Sequence, residues 1–264
     1  MLKCVFLQCH GCAIISIAMK DELKAALQAA GANLVGYADL HVIPAEARDG
    51  MPCAVSIALA LDPQVISEIS NGPTLRYWEE YKRANALLAQ IGDKAAAFLQ
   101  AQGYKAKTLI PTIVNYDAML RIGVSYNPET LTAVFPHKTA ATLSGLGWIG
   151  KCALLVTKEF GSAVRLTTVL TDAELPAGHA IVESRCGNCT ACVEACPGHA
   201  PSGKKWEAGM PRESFFDAFA CRNTAYEQAG KIGVKETICG RCIVVCHRTQ
   251  KYLRKSGVPR LENK

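Results

Sequence analysis

The sequence predicts an α/β or α+β sheet domain followed by a smaller cysteine-rich domain. Up to about residue 180, apolar segments with strand periodicity alternate with segments of helical periodicity. Beyond that point the strand patterns stop, cysteines begin, and Gly and Pro separate short helical stretches. We therefore expect an N-terminal extension over 1–18, a cofactor or substrate domain over 19–180, a cysteine-rich domain over 181–250 and a basic tail over 251–264.

Individual elements of the first domain follow from the same patterns. An amphipathic helix is expected over 20–30, and a long helix over 74–102 that Gly103 ends. A further helix is expected over 137–144. Strands are predicted at 32–40, 54–61, 105–110, 153–157 and 163–171, with the last two paired through a turn around Gly161. The run 54–61 is wholly apolar, as in a strand buried on both faces.

The first eighteen residues combine Lys3 with a short apolar stretch, which loosely resembles a signal peptide. Polar residues interrupt the stretch, however, and no convincing cleavage site follows. No apolar run approaches the roughly 20 residues of a membrane span. We therefore expect a cytoplasmic protein without membrane contact, and we interpret Cys4, Cys9 and Cys12 as incidental.

Cysteine content indicates bound metal in a reducing compartment. The chain has thirteen cysteines, and eight of them fall between Cys186 and Cys246. A disulfide framework would spread along the chain, whereas a metal domain concentrates its ligands. Residues 186–264 carry 13 Lys and Arg against 7 Asp and Glu, so the whole net charge of +6 lies there. This excess can compensate metal-bound thiolates, or attract an acidic electron donor or an RNA.

The motif C-x2-C-x2-C-x3-C-P is formed by Cys186, Cys189, Cys192 and Cys196, followed by Pro197. This is the spacing of bacterial ferredoxins, in which three sulfurs bind one cubane and the fourth binds the neighbouring cluster. The sequence therefore predicts two [4Fe–4S] clusters that transfer single electrons at low potential.

A second, shorter run supplies the remaining ligands: Cys239, Cys242 and Cys246 form C-x2-C-x3-C, and Cys221 lies alone upstream. Exchanging the last cysteine of each run gives each cluster four ligands. Cluster one then takes Cys186, Cys189, Cys192 and Cys246. Cluster two takes Cys196, Cys221, Cys239 and Cys242.

Zinc and disulfides are the alternatives for these cysteines. Zinc sites usually combine two C-x2-C pairs into four ligands per ion, whereas the first run has the spacing of iron–sulfur proteins. The isolated Cys53 and Cys152 are expected to pack in the core, with a place in an active site as the alternative.

A glycine-rich stretch, Gly145 to Lys151, contains G-x-G-x-x-G. A dinucleotide fingerprint needs a strand before it and a helix after it, whereas here a helical pattern precedes and an apolar strand pattern follows. We therefore reject a Rossmann site. A loop nearly bare of side chains lets backbone approach a flat ligand. The alternative is a helix stop with packing of Trp148.

Together, the motifs SGLGWIGK and CGNCTACVEACP resemble those of epoxyqueuosine reductase, and the resemblance extends over roughly residues 19–250. It implies a nitroreductase-like α/β domain that holds cobalamin, packed on a double [4Fe–4S] ferredoxin-like domain. Reductive dehalogenases are more distant relatives with the same layout. In these families the clusters reduce the cobalt, which then attacks or reduces the substrate; in epoxyqueuosine reductase that substrate is a tRNA nucleoside.

The resemblance also implies site residues in the first domain. The glycine stretch is expected to bind cobalamin through Gly145, Gly147, Trp148, Gly150 and Lys151. The family's proton-donating Asp is matched here by His137, followed by Lys138, so His137 is the predicted catalytic residue. Its alternative role is that of a partly exposed residue at a helix start.

We therefore predict an oxidoreductase, a short form of the family without the C-terminal helical-repeat domain. Its electron donor is expected to be a low-potential carrier such as ferredoxin or flavodoxin. Its substrate is expected to be a tRNA nucleoside or a small reducible molecule. The alternatives are a non-catalytic electron carrier, a protein that reactivates corrinoid proteins, and a zinc-dependent assembly protein.

Overall fold

A four-stranded antiparallel sheet forms the centre of the N-terminal part. The computed structural model describes residues 10–111 and 126–258. In spatial order, the strands of this sheet are β1 (Leu34–Asp39), β2 (Cys53–Ala60), β8 (Val164–Thr171) and β3 (Ala106–Leu109). All three pairings are antiparallel, with Val55 opposite Val169 in the central pair. The mixed α/β prediction is confirmed, with strand directions typical of an α+β fold.

Helices pack on this sheet and provide the regular secondary structure of the cysteine-rich part. The α-helices of the described residues are α1 (His10–Ala29), α2 (Pro63–Ser67), α3 (Leu75–Ala101), α4 (His137–Leu143), α5 (Ala191–Glu194), α6 (Ala218–Gly230), α7 (Arg241–Val244) and α8 (His247–Lys255). Short 3-10 helices lie at Ala45–Arg48, Glu68–Asn71 and Arg212–Ser214. Within residues 10–111 and 126–258, no helix has the length and apolarity needed to cross a bilayer.

Both faces of the sheet are covered, because side chains alternate along each strand. On one face, Val55, Ile57 and Val169 pack in the main core with α1 and α3. On the other face, Ala54 and Leu170 pack with α4. This explains the unbroken apolar run of β2, and it fixes α4 beside the central strands.

The long helix α3 follows its predicted bounds to within a residue. Its N-terminus is capped by Thr74, whose hydroxyl accepts a hydrogen bond from the backbone N–H of Tyr77 at 3.1 Å. Tyr81, Ala84 and Leu88 are buried at helical spacing and face the sheet side. Helical periodicity and capping residues are local signals, so this element could be located from sequence.

The predicted pairing of 153–157 with 163–171 is wrong. β7 (Leu155–Thr157) instead pairs with β6 (Gly147–Ile149) in a hairpin that sets Trp148 opposite Val156, whereas β8 lies between β2 and β3. A further two-stranded pair joins β4 (Tyr126–Asn127) to β5 (Thr132–Ala133). An apolar strand has the same pattern whichever partner it takes, so periodicity could not choose between β6 and β8.

At the N-terminus, α1 begins at His10, inside the extension expected over 1–18. Among the side chains of α1 that the structure describes, from Ile17 onward, Met19 and Leu23 are buried and Ile17 is 51% exposed. Cys4 and Cys9 lie outside the described residues, as does the side chain of Cys12.

The apolar core continues from the sheet into the cysteine-rich part. Ile69 and Tyr77 belong to the same core cluster as Ile243 of α7 and Leu253 of α8. Gly240 lies so close to them that a Cβ there would be 2.5 Å from Cδ1 of Ile69. The predicted division near residue 180 therefore separates two parts that share one core, and the division itself stays a prediction.

Gly161→Ala should destabilise the protein far more than Gly103→Ala. Both glycines have a positive φ, 61° and 87°, so the backbone strain of a side chain is common to both variants. At position 161 a Cβ would lie 2.2 Å from the backbone N of Thr249, whereas at 103 nothing lies within 4 Å. Urea denaturation should give an additional loss of about 1–3 kcal/mol for Gly161→Ala. Equal losses in the two variants would contradict this packing.

Candidate functional site

The two cysteine runs fold into the same local unit. α5 and α7 are each four residues long, and each carries a cysteine, Cys192 or Cys242, as its second residue. Another cysteine, Cys189 or Cys239, lies three residues earlier in each case. The two short helices contact each other. The two runs are therefore similar in structure as well as in sequence, and they lie next to each other in the fold.

Cys221 joins the second run from the first turn of α6. Burial, followed by the neighbouring thiols of Cys196 and Cys239, raises the pKa of Cys221 to about 11. Cys196 comes from the first run, yet it lies beside cysteines of the second. This is the neighbourhood that the exchange of last cysteines requires.

The environment of these thiols fits an anionic metal cluster. None of the ten cysteines with described side chains forms a disulfide. Within the described residues, no group of three or more His, Cys, Asp or Glu side chains is arranged to hold a metal ion, so the support for a cluster comes from the groups around the thiols. Burial raises the pKa of Cys239, and a hydrogen bond from the backbone N–H of Arg241 opposes that rise. The buried Nε of Arg241 has no partner among the described residues, and the sulfur atoms of a cluster would supply an acceptor for it.

The glycine stretch packs against the first cysteine run. The indole N–H of Trp148 donates to the Sγ of Cys186 at 3.4 Å. The Nζ of Lys151 donates to the carbonyl oxygen of Cys189 at 2.9 Å. Because side chains alternate along β6, Trp148 points to the cysteines while Ile149 points away from them, into a large cavity.

The glycines themselves serve close backbone packing. A Cβ on Gly147 would lie 2.4 Å from the carbonyl oxygen of Val156, and one on Gly145 would lie 2.6 Å from that of His179. A Cβ on Gly150 would meet Val156 at 2.8 Å. These contacts close the β6–β7 hairpin and seat it on the segment that leads to the cysteines.

The expectation that Gly145, Gly147, Trp148, Gly150 and Lys151 bind cobalamin stays a prediction. The described walls of the large cavity include none of these five residues, although they include Ile149 of the same stretch. The contact of this stretch with the first cysteine run was not foreseen, because it spans 38 residues of chain.

Cys152 is buried, as predicted, but its surroundings are not ordinary core. Its thiol is hydrogen-bonded to those of Cys192 and Cys242, one from each run. Cys53 is also buried, in β2, and burial raises its pKa. Sequence spacing gave no sign that Cys152 joins the other thiols.

A cavity of about 1480 Å³ lies between α4, the end of β3 and the cysteine-rich part. One face of α6 forms part of its wall at helical spacing, through Ala218, Cys221, Arg222, Ala225 and Tyr226. The cavity exceeds the roughly 300–1,000 Å³ of ordinary small-molecule pockets, so it suits a larger ligand.

The lining of this cavity is apolar with an excess of positive charge. Its apolar walls include Ile110, Phe135, Leu166, Trp206 and Phe216. Its charged residues are the cations Lys107, Lys138, Arg165, Arg212, Arg222 and Lys235 and the anions Asp49 and Glu236. Such a lining favours a bulky ligand or substrate that carries negative groups.

His137 lies on the cavity wall at the start of α4, with both ring nitrogens occupied. Nε2 is 2.9 Å from the carbonyl oxygen of Ile110, and Nδ1 is 2.9 Å from the hydroxyl of Thr168. Since a carbonyl only accepts, Nε2 carries the hydrogen and Nδ1 accepts from Thr168. Burial lowers the pKa of His137 to about 4. A neutral ring whose only N–H is held in this way is poorly suited to the predicted role of proton donor.

Lys138, the next residue, is also a cation of the cavity wall. Its Nζ donates to the carbonyl oxygen of Ala153 at 2.5 Å. Burial, followed by the charge of Arg212, lowers its pKa. Its position after His137 was visible in the sequence, but its burial follows from the β6–β7 hairpin.

Protonation of His137 should weaken the fold. Its pKa is about 4 in the folded protein against an ordinary 6.5, so the unfolded chain binds the proton more tightly. The stability due to the neutral ring is complete above pH 6.5 and is lost as the pH falls towards 4. His137→Gln keeps an N–H for Ile110 but does not titrate. Between pH 7 and pH 4.5 the wild type should lose about 1–2 kcal/mol more than this variant in urea denaturation.

His179→Gln provides the control, because His179 is exposed and none of the ion pairs between described residues includes it. This variant should retain the full pH dependence of the wild type. The same pH dependence in His137→Gln as in the wild type would show that the His137 ring is not held neutral.

Comparison with known proteins identifies relatives of one kind by sequence. No protein-family model matches the chain. Epoxyqueuosine reductase of Bacillus anthracis is 30% identical over 122 residues, which cover 45% of this chain and 31% of the relative. The enzyme of Aliivibrio fischeri is 40% identical over 77 residues, 29% of this chain and 20% of the relative. The matches thus span about a third or less of these curated relatives.

Solved structures share the fold at low sequence identity. A reductive dehalogenase described as B12-dependent has a TM-score of 0.61 at 19% identity, covering 89% of this chain and 33% of its own. Epoxyqueuosine reductase with an epoxyqueuosine-modified tRNA stem loop has a TM-score of 0.58 at 20% identity, with coverages of 88% and 65%. The Bacillus subtilis enzyme gives 0.57 at 19%, with coverages of 88% and 66%. In its sequence matches and in its fold, the chain resembles epoxyqueuosine reductase.

Proposed function

We propose that the chain is an iron–sulfur oxidoreductase that passes electrons through two [4Fe–4S] clusters to a corrinoid and a reducible substrate. One observation carries the proposal. Cys221, a proposed ligand of cluster two, lies on the wall of the 1480 Å³ cavity. A cluster bound through Cys221 and a cofactor in the cavity would therefore share a wall. A simple electron carrier has no need of such a cavity.

The proposed division of ligands is supported on both sides of the cysteine site. Cys196 and Cys239 lie beside Cys221, as cluster two requires. On the other side, the guanidinium of Arg248 lies 5.7 Å from the ring centroid of Trp148, whose N–H contacts Cys186. Because Arg248 follows Cys246 by two residues, the end of the second run is near the first, as cluster one requires.

A corrinoid fits the cavity by size and by lining. The flat ring needs extended apolar walls, which Leu166, Trp206 and Phe216 provide. Its negatively charged phosphodiester needs cations, for which Arg222 and Lys235 are exposed at the cavity. When bound, a corrinoid would supply a cobalt centre able to exchange single electrons.

His137 is proposed to hold the cavity wall in place. Its ring ties α4 to Thr168 of β8 and to Ile110 just after β3, so one side chain joins three elements of the wall. Arg165 is fixed in a similar way by Tyr81 and Asn85 of α3, with Nη2 2.7 Å from the Tyr81 hydroxyl. These residues make the cavity rigid before a ligand enters.

As substrate we propose a tRNA nucleoside. The support is the positive lining of the cavity and the fold shared with an epoxyqueuosine reductase solved with a modified tRNA stem loop. The chain covers 65% of that structure. Binding of an anticodon stem loop, with and without the modified nucleoside, measures this preference directly.

Filling the cavity from α6 should abolish corrinoid binding. Ala218 lies one turn before Cys221 on the cavity face, so Ala218→Trp places an indole in the cavity. Asn223→Trp adds the same side chain to an exposed position of α6 that is not among the cavity residues. In anaerobic titrations with cobalamin followed by absorption, the wild type and Asn223→Trp should bind one equivalent. Ala218→Trp should bind at least tenfold more weakly.

The same titration also has an outcome that contradicts the proposal. Reconstituted protein that holds both clusters and binds no corrinoid would refute the enzyme proposal in favour of an electron carrier.

Cys196→Ala and Cys221→Ala should remove the same cluster, although their residues come from different parts of the sequence. Each variant should lose about half of the bound iron, and the double variant should lose no more than either one. Cys186→Ala combined with Cys221→Ala should instead lose nearly all of it. Iron analysis and EPR of the reduced proteins measure this. Additive losses for Cys196 and Cys221 would contradict the exchange of ligands.

A further inference from the structure

We propose that Lys151 is a positioning residue whose buried ammonium stabilises the reduced state of cluster one and so sets its reduction potential. The inference rests on the proposed function, because it presupposes the clusters. It places Lys151 at the iron–sulfur site, whereas the sequence analysis predicts a role for Lys151 in cobalamin binding.

The first observation is the burial of an unpaired charge. Lys151 is only 5% exposed. None of the ion pairs between described residues includes it. Its Nζ donates to the carbonyl oxygen of Cys189, a neutral acceptor. Burying an ammonium without a negative partner is costly, so this position calls for a nearby anion.

The second observation is what surrounds the ammonium. The Nζ of Lys151 donates to the backbone carbonyl oxygen of Cys189. Trp148, on the same hairpin, donates its N–H to Cys186. Two proposed ligands of cluster one therefore meet donors from the β6–β7 hairpin. An iron–sulfur cluster with thiolate ligands would supply the negative charge that compensates the Lys151 ammonium.

The direction of the effect follows from charge. Reduction adds one electron to the cluster and makes it more negative, so a fixed positive charge stabilises the reduced form relative to the oxidised form. Removing that charge should lower the reduction potential of cluster one. Cluster two has no contact with Lys151 through its proposed ligands and should change less.

Three substitutions separate charge from structure. Lys151→Met keeps an unbranched side chain of similar length and removes the charge; Lys151→Gln does the same with a polar end. Lys151→Arg keeps the charge. Lys158→Gln removes a lysine from the exposed turn after β7, where water screens it, and serves as the matched control.

The potentials are to be measured on the reconstituted full chain by EPR-monitored redox titration. An opposite charge within about 4–6 Å shifts an ionisation equilibrium by one to three powers of ten. We therefore expect Lys151→Met and Lys151→Gln to lower the ratio of reduced to oxidised cluster one about tenfold at a fixed solution potential. This change corresponds to a reduction potential lower by about 59 mV for one electron. Lys151→Arg should restore most of this ratio, and Lys158→Gln should match the wild type.

The inference is overturned if Lys151→Met or Lys151→Gln folds and its cluster one has the reduction potential of the wild type. It is also overturned if Lys151→Arg shifts cluster one as far as the neutral variants, since the role would then be structural. Failure of the proposed function has a different signature, because the wild type itself would then hold no clusters.

Discussion

The contact between the β6–β7 hairpin and the first cysteine run is the interaction on which the rest of the site depends. Trp148 and Lys151 reach from the sheet part to Cys186 and Cys189, and Cys152 lies between thiols of both runs. The hairpin can make this approach because its glycines allow backbone atoms within van der Waals distance. Under the proposed function, the buried ammonium and the metal-bound thiolates would compensate each other only while the two parts of the chain stay together.

The proposed ligands of the two clusters differ in their surroundings. Cys189 is exposed to solvent. Cys221 lies on the cavity wall formed by α6. Helices α5 and α7, which carry Cys192 and Cys242, contact each other. Under the proposed function, electrons entering near Cys189 would pass from cluster one to cluster two and then reach the cavity.

Local signals in the sequence predicted what is locally determined. The cysteine spacings, the capped helix α3 and the apolar strand β2 each depend on residues within a few turns, and each could be recognised from pattern alone. The partner of β7, the neutral state of His137 and the destination of Trp148 depend on contacts across tens of residues. Lys151 illustrates the limit: its place beside a glycine-rich loop was visible, but its burial against Cys189 required the fold.

We propose that eight thiolates hold two [4Fe–4S] clusters, and the metal and sulfide content of the protein after anaerobic reconstitution tests this most directly. We expect about eight iron and eight acid-labile sulfide per chain, with two interacting one-electron centres in the EPR spectrum of the reduced protein. Zinc in place of iron, or iron without acid-labile sulfide, would contradict it.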